Sequence, residues 1–213
     1  MAKFAFAFLD CEFGGLDPEL HDITEIGVIL TDYRLVELAA QEWKIRSRPE
    51  RITPEAAEIS GYDEKLWADA LPIRQVLTEF ASLLPADKTV VPAGQNVRMD
   101  VNFIERAYKS CELPYPFDYH VIDLATLFYS WSLVAGETVS ALSLRQAATT
   151  AGLVEGNVPH RAMADARLTL DAFRHYIGRL APRDPAEVVS RLASEAGVEK
   201  ASAADAAPPG EGS

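Results

Sequence analysis

A short apolar segment, residues 4–9, runs directly into two acidic residues, Asp10 and Glu12. Its length and composition predict a buried strand. Because successive side chains of a strand point to opposite faces, Asp10 and Glu12 share one face and Cys11 lies on the other. Two adjacent carboxylates repel each other unless they are protonated or bridged by a cation. Taken alone, the pair is also typical of a solvated strand end; with the motifs below it predicts a site for Mg²⁺ or Mn²⁺.

Two further acidic motifs follow predicted elements later in the chain. Asp100 comes after an apolar strand at residues 89–93 and a polar turn, and His160 and Asp165 lie where a helix is predicted to begin. In a continuous helix, side chains five residues apart would be about 140° apart, at roughly 100° per residue. We therefore expect His160 to lie on the loop before the helix.

The periodicity of apolar residues predicts a single α/β domain. Three strands joined by short polar turns favour an antiparallel meander, and helices then alternate with strands. The motifs are expected to converge at strand ends of a mixed sheet flanked by helices. Predicted strands occupy residues 4–9, 25–31, 35–44, 89–93 and 120–122, and predicted helices occupy residues 54–60, 73–84, 101–111, 124–134, 142–151 and 162–178.

These motifs resemble the DnaQ-like (DEDDh) 3′-to-5′ exonuclease superfamily, which includes proofreading subunits, ribonuclease T and oligoribonuclease. The resemblance covers most of residues 3–176, and residues 52–62 resemble the family's connecting segment. Gln95 and Phe13 depart from the family, which usually has His and Thr or Met there. The fold implied is ribonuclease H-like, with a five-stranded mixed sheet. The matching residues are Asp10, Glu12, Gly15 and Leu16; Gly94, Asn96 and Asp100; and His160 and Asp165.

The resemblance also implies the roles of the site residues. Two Mg²⁺ or Mn²⁺ ions would be held by four carboxylates, with Asp10 bridging both, and His160 would be the general base, since imidazole accepts protons near neutral pH. An aromatic side chain beside such a site can stack on an unpaired base. The ligands implied are Asp10, Glu12, Asp100 and Asp165, and the residues expected to contact the terminal nucleotide are Phe13, Gly14, Leu16 and Asn96.

Composition limits the location of the protein and its partners. The net charge of −12 argues against nonspecific coating of duplex DNA, which requires clustered Lys and Arg. Two cysteines, Cys11 and Cys111, suggest reduced thiols in the cytoplasm, with a disulfide between them as the alternative. The apolar stretch at the start is too short for a signal peptide, and no segment has the length of a membrane span.

Residues 1–181 are predicted to form the exonuclease domain. Residues 182–213 are predicted to contain a helix that begins at Asp184 and a disordered tail from Lys200. That helix either packs on the domain or binds a polymerase or repair partner. The expected activity is metal-dependent release of nucleoside 5′-monophosphates from single-stranded or frayed 3′ ends. The alternatives are an RNA or oligoribonucleotide exonuclease and a proofreading or repair accessory module; a catalytically silent binding module is disfavoured because all five site residues are present.

Overall fold

The computed structural model describes residues 3–155 and 161–180, and within these ranges five strands form one mixed sheet. The strand order is β3-β2-β1-β4-β5, with β1, β2 and β3 antiparallel and β4 parallel to both β1 and β5. This is the α/β architecture predicted from the sequence. The strands are β1 (Phe4–Phe13), β2 (Ile23–Asp32), β3 (Glu37–Lys44), β4 (Thr89–Gly94) and β5 (Ile122–Asp123); the α-helices are α1 (Pro54–Ser60), α2 (Ile73–Leu83), α3 (Arg98–Ser110), α4 (Leu124–Ala135), α5 (Leu144–Thr150) and α6 (Ala162–Arg179), and Pro49–Arg51 forms a 3₁₀ turn.

Strand β1 is longer than predicted, and the first acidic pair lies inside it. Asp10 pairs with Gly27 and Glu12 with Glu25 on β2, and the register shifts between Glu12 and Phe13. The prediction that the strand ends before Asp10 is wrong because β2 continues to supply antiparallel backbone partners beyond the apolar run. Both acidic residues therefore have their backbone fixed by pairing with β2.

Alternation along β1 divides the core between the two faces of the sheet. Leu9 and Cys11 belong to the cluster that includes residues of α2 and α3. Phe8 belongs to a second cluster with residues of α4, α5 and α6, and its ring meets Phe173 edge to face at 5.0 Å. Asp10 and Glu12 continue the Phe8 side, so they point toward α6.

Local polar contacts set several element boundaries. Asp123 caps α4 by accepting a hydrogen bond from the Ala125 N–H at 2.9 Å, as predicted. Strand β3 begins at Glu37, two residues later than predicted, because Leu35 has φ 64°, a turn conformation. Helix α5 begins two residues late because Ser143 is its N-cap, with the hydroxyl accepting from the Gln146 N–H at 3.2 Å.

Three sequence expectations concern thiols, membranes and the end of the chain. Cys11 and Cys111 are free and buried, as predicted for reduced thiols. Within residues 3–155 and 161–180, no helix is both long enough and apolar enough to span a membrane. The proposed helix and tail at residues 182–213 lie outside the described residues.

Helix α6 approaches the sheet through Gly27. A Cβ atom at Gly27 would lie 2.4 Å from the Met163 backbone nitrogen and 2.5 Å from the Ala162 carbonyl carbon. The first turn of α6 therefore rests on the backbone of β2. Since Gly27 pairs with Asp10, this contact brings the start of α6 beside the acidic pair.

Gly27→Ala is therefore expected to push α6 away from the sheet. Overpacking of this kind costs about 1–3 kcal/mol, and chemical unfolding measures it. Gly178→Ala is a matched control on the same helix, because nothing lies within 4 Å of its added Cβ. The control should be neutral or stabilising, as Ala is favoured over Gly in helices. Equal stability of the two variants would contradict this account of the contact.

Candidate active site

Strand β1 and helix α6 bring three carboxylates together. Asp10, Glu12 and Asp165 each offer one oxygen, and these atoms lie within 4.8 Å of one another. Glu12 and Asp165 are both 8% exposed, and Asp10 is partly exposed. Asp165 reaches the group because it lies in the first turn of α6, immediately after the contact with Gly27. Residues up to 155 positions apart in sequence thus form one acidic cluster, which we call the carboxylate cluster.

Asp100 lies next to this cluster, on helix α3. Its Oδ1 accepts a hydrogen bond from the Cys11 N–H at 2.9 Å, and the side chain is buried. Strand β4 pairs with β1 only as far as Phe8, so the Cys11 N–H has no partner on that strand. The side chain of Asp100 fills this place in the hydrogen-bonding pattern. It is not one of the three residues whose ligand atoms share the 4.8 Å cluster.

Burial and mutual repulsion oppose ionisation of these carboxyl groups. Burial, followed by the charges of Asp100 and Asp165, raises the pKa of Asp10 well above its ordinary value. Burial and the charge of Asp165 raise the pKa of Glu12 to about 7. Burial likewise raises the pKa of Asp100 to about 7, although the hydrogen bond from Cys11 favours its ionised form. At neutral pH these carboxyl groups are therefore only partly ionised unless a cation lies beside them.

A divalent cation among these carboxylates would favour their ionised forms. Carboxylate oxygens are the ligands that Mg²⁺ and Mn²⁺ prefer, and a cation between them reverses the local effect on their pKa values. Asp10, Glu12 and Asp165 have the ligand chemistry and proximity to hold such an ion. Asp100 is near enough to act electrostatically on Asp10.

A partly buried ion pair fixes the start of α6 beside the cluster. Glu25 of β2 is fully buried, and its Oε1 accepts hydrogen bonds from Arg161 Nη2 at 3.0 Å and Nε at 3.3 Å. The charge of Arg161 lowers the pKa of Glu12. Burial and a hydrogen bond with Glu42 raise the pKa of Glu25 to about 7, against the effect of Arg161. Arg161 lies immediately before α6, and no sequence pattern predicted its contact with Glu25.

The turn after Glu12 contains three predicted substrate contacts. The Phe13 ring stacks on Phe103 with centroids 4.1 Å apart, so one of its faces is covered. Gly14 is buried: its N–H donates to the Asp22 carbonyl and its carbonyl accepts from the Thr53 N–H, both at 2.8 Å. Leu16 is 83% exposed. The turn therefore has a rigid base and an apolar residue in solvent.

The turn after β4 contains the fourth predicted contact. Asn96 has φ 53°, a left-handed conformation that Asn tolerates better than most residues. The next residue, Val97, donates its N–H to Asp123 Oδ2 at 2.9 Å. Gln95 donates from Nε2 to the Leu142 carbonyl at 2.8 Å, joining the turn to the segment before α5. This turn positions the start of α3 and hence Asp100.

A second finding that the sequence did not predict is the contribution of α5. A cavity of about 200 Å³ is lined by Asp10 and Asp165 together with Arg145 and Gln95. Arg145 lies in the first turn of α5. Its position was not evident from the sequence because the segment has no motif beyond the Ser143 cap. His160, the predicted general base, lies outside the described residues, so its role stays a prediction.

The raised pKa values make the effect of metal on stability depend on pH. Because folding raises these values, the folded protein binds more protons than the unfolded chain between about pH 4 and 7, and the cluster destabilises the fold as pH rises through that window. Mn²⁺ should therefore raise the melting temperature more at about pH 8 than at about pH 5. Asp10→Asn should raise the melting temperature of the chelated protein at the higher pH and reduce the Mn²⁺ effect. An equal Mn²⁺ effect at both pH values would contradict the prediction.

Two bacterial proteins are similar in sequence to this chain. DNA polymerase III PolC-type from Thermotoga petrophila is 28% identical over 179 residues, which cover 81% of this chain and 12% of that protein. The 3′-5′ exonuclease DinG of Staphylococcus aureus is 27% identical over 169 residues, which cover 79% of this chain and 18% of that protein. The chain thus spans less than a fifth of the length of these curated relatives.

Solved structures show the same fold. A complex of E. coli exonuclease I with single-stranded DNA superposes with a TM-score of 0.70 at 18% identity, over 91% of this chain and 43% of that one. Exonuclease I from Methylocaldum szegediense superposes with a TM-score of 0.64 at 19% identity. The match covers 83% of this chain and 40% of that one. The ribonuclease H-like fold expected from the sequence is confirmed. A sequence model described as "Exonuclease" matches residues 7–173, and the chain therefore belongs to this exonuclease family, as its DnaQ-like motifs predicted.

Proposed function

We propose that the chain is a metal-dependent 3′-to-5′ exonuclease that releases nucleoside 5′-monophosphates from single-stranded or frayed 3′ ends. The observation that supports this most is the carboxylate cluster of Asp10, Glu12 and Asp165, with ligand atoms within 4.8 Å of one another. Such a cluster destabilises the fold unless protons or cations occupy it. Its place in an exonuclease domain supports a role in phosphodiester hydrolysis.

Two Mg²⁺ or Mn²⁺ ions are proposed at this site. Asp10, Glu12 and Asp165 would hold them, and Asp100 would complete the set from α3. When bound, such ions polarise phosphoryl oxygens, lower the pKa of water and stabilise the charge that develops in hydrolysis. A similar structure, the complex of E. coli exonuclease I with single-stranded DNA, is a zinc-bound form, which supports binding of a divalent cation by this fold.

The protein's own residues would position the substrate and move the proton. His160, two residues before α6, is proposed as the general base, since neutral imidazole can accept a proton from water at neutral pH. Arg145 lies on the cavity wall with Asp10 and Asp165, where a guanidinium can contact a phosphoryl oxygen. The ion pair of Glu25 with Arg161 holds the chain adjacent to His160.

The terminal nucleotide is proposed to lie against the two turns beside the cluster. Leu16 is exposed at the tip of the first turn and offers an apolar contact, while the partly buried Phe13 and the backbone at Gly14 form the base of the turn. Asn96 lies on the second turn. Unpaired ends suit this arrangement because a continuous duplex is stiff and keeps its terminal bases stacked.

A second candidate function is proofreading or repair within a larger assembly. The similarity to a PolC-type polymerase and to DinG supports it, since in both relatives the matching part is a small share of a longer protein. In this proposal residues 182–213 would contact a polymerase or repair partner in the cytoplasm. A preference for RNA or oligoribonucleotides is the other alternative, and parallel assays on labelled DNA, RNA and a mismatched primer-template separate the three.

Removal of one cluster carboxylate should abolish hydrolysis. Asp165→Ala and Asp10→Ala are expected to lose activity on 3′-labelled single strands while remaining folded, because each removes an oxygen ligand of the cations. Asp171→Ala is the matched control: it lies on the same helix and pairs with Arg174 at the surface. It should retain the wild-type rate. Undiminished cleavage by wild type in excess chelator would exclude the metal-dependent mechanism.

His160→Ala should reduce the rate on the order of 10²-fold or more and remove the acidic limb of the pH profile, because a protonated imidazole cannot accept a proton. The assay uses oligonucleotides labelled separately at each end, with product ladders read from about pH 5.5 to 9 for both enzymes. Wild type should shorten strands one nucleotide at a time from the 3′ end. Initiation at the 5′ end, nicking of circular substrate, or an unchanged pH limb in His160→Ala would each refute the proposed mechanism.

A further inference from the structure

A second cavity, of about 500 Å³, lies on the opposite side of the sheet from the carboxylate cluster. Its walls come from the segment after β3, the turn before β2, the start of α2 and the middle of α3. Four arginines line it, Arg46, Arg48, Arg51 and Arg106, with Asp22 as the one acidic residue in the lining. The chain has 20 Lys and Arg residues and a net charge of −12. The cavity lining is therefore locally basic on a protein that is acidic as a whole. We call it the arginine cavity.

The four guanidinium groups differ in how they are held. Arg51 is fixed inside the structure, with Nε donating to Asp22 Oδ1 at 2.6 Å and Nη2 to the Glu19 carbonyl at 2.8 Å. Arg48 shares Asp22. Arg106 pairs with Glu19, whose side chain is 64% exposed. Arg46 is exposed, and no hydrogen bond or ion pair of its guanidinium occurs among the described residues.

Two of these arginines are therefore available to an incoming anion. Arg46 has its full donor set, and the pair of Arg106 with Glu19 is an exposed one, which a competing anion can displace at little cost. Guanidinium groups bind phosphate through two parallel hydrogen bonds, a geometry that ammonium groups do not match. The chemistry of the rim favours a phosphate-bearing ligand.

The inner wall of the cavity is apolar. Ile45 and Phe103 are buried at its base, and Ile73 and Pro72 at the start of α2 form one side. A cavity with cationic groups at the rim and an aromatic and aliphatic base suits a ligand with both an anionic group and a flat apolar face. A nucleotide unit with an unpaired base has both.

The arginine cavity is also adjacent to the proposed reaction site. Phe13 follows Glu12 in β1, and its ring stacks at 4.1 Å on Phe103, which lines the cavity. Pro18 and His21, at the far end of the turn that begins at Gly14, line it too. A strand whose 3′ end lies at the cluster would pass this turn to reach the cavity.

We propose that the arginine cavity binds an internucleotide phosphate and an unpaired base of the same strand whose 3′ end is cleaved, with Arg46 and Arg106 as the phosphate contacts. The inference rests on the proposed exonuclease function. It gives the acidic protein a local attachment point for single-stranded nucleic acid. It also predicts that long strands bind better than short ones through contacts remote from the cations.

The test compares the full-length protein with charge-reversal variants of exposed arginines. Arg46→Glu is matched by Arg34→Glu, which makes the same charge change on the turn between β2 and β3. Arg46→Glu/Arg106→Glu removes both phosphate contacts, and Arg46→Gln is a milder change that keeps the rim polar. Binding of 5′-fluorescein dT12 is measured by anisotropy across a salt series, with Ca²⁺ in place of Mg²⁺ to slow hydrolysis. Hydrolysis of the p-nitrophenyl ester of thymidine 5′-monophosphate reports the cluster separately.

Loss of two phosphate contacts should weaken dT12 binding on the order of ten-fold at low salt and reduce the slope of log K against log salt by about 1.4. In Arg46→Gln the slope should fall by about half as much, because one contact is lost instead of two. Arg34→Glu should match wild type in affinity and slope. All variants should hydrolyse the ester at the wild-type rate. Wild-type dT12 affinity and slope in the double variant, or an equal loss in Arg34→Glu, would overturn the inference.

Two further outcomes separate this inference from the proposed function. Arginine-dependent binding of dT12 by a protein that hydrolyses neither substrate would refute the exonuclease proposal and support the cavity as a strand site. If the double variant loses affinity for a peptide of residues 182–213 while keeping that for dT12, the cavity binds an acidic protein segment and the inference is wrong.

Discussion

The contact between the first turn of α6 and the backbone of β2 at Gly27 determines the geometry of the whole site. Backbone atoms of Ala162 and Met163 occupy the space where any larger residue would place its Cβ. Asp165, three residues after Ala162, has a carboxylate oxygen within 4.8 Å of one of Asp10, the β1 partner of Gly27. A rigid sheet and a helix in van der Waals contact can hold carboxylates at fixed separation against their repulsion, which a loop would relieve by moving apart.

Holding these carboxylates close together lowers the stability of the folded protein. Burial and mutual repulsion raise the pKa values of Glu12 and Asp100 to about 7, so part of the folding free energy opposes their ionisation. The nearby cation, Arg161, is directed to Glu25 on β2 at 3.0 Å. It therefore stabilises the start of α6, and its charge also favours the ionised form of Glu12.

Sequence patterns predicted most of the architecture because they act locally. Alternation in β1 placed Asp10 and Glu12 on one face, Asp123 and the helical periodicities located α4 and its neighbours, and the motif order indicated the family. The extension of β1 was not predictable, since it depends on β2 as a pairing partner. The hydrogen bond from the Cys11 N–H to Asp100 joins residues 89 positions apart and depends on where β4 stops pairing.

The same limit explains why Arg145 and the arginine cavity escaped prediction. Arg46, Arg48 and Arg51 lie in a segment without helical or strand periodicity, and Arg106 lies on an amphipathic helix where an exposed arginine is ordinary. Only the fold places these arginines around one space. The net charge of −12, which argued against nonspecific coating of duplex DNA, is an average over the whole chain and does not report a local cluster of arginines. In an acidic exonuclease domain, attraction to a strand must come from a few clustered cations, and their distance from the carboxylate cluster then sets which part of the strand they hold.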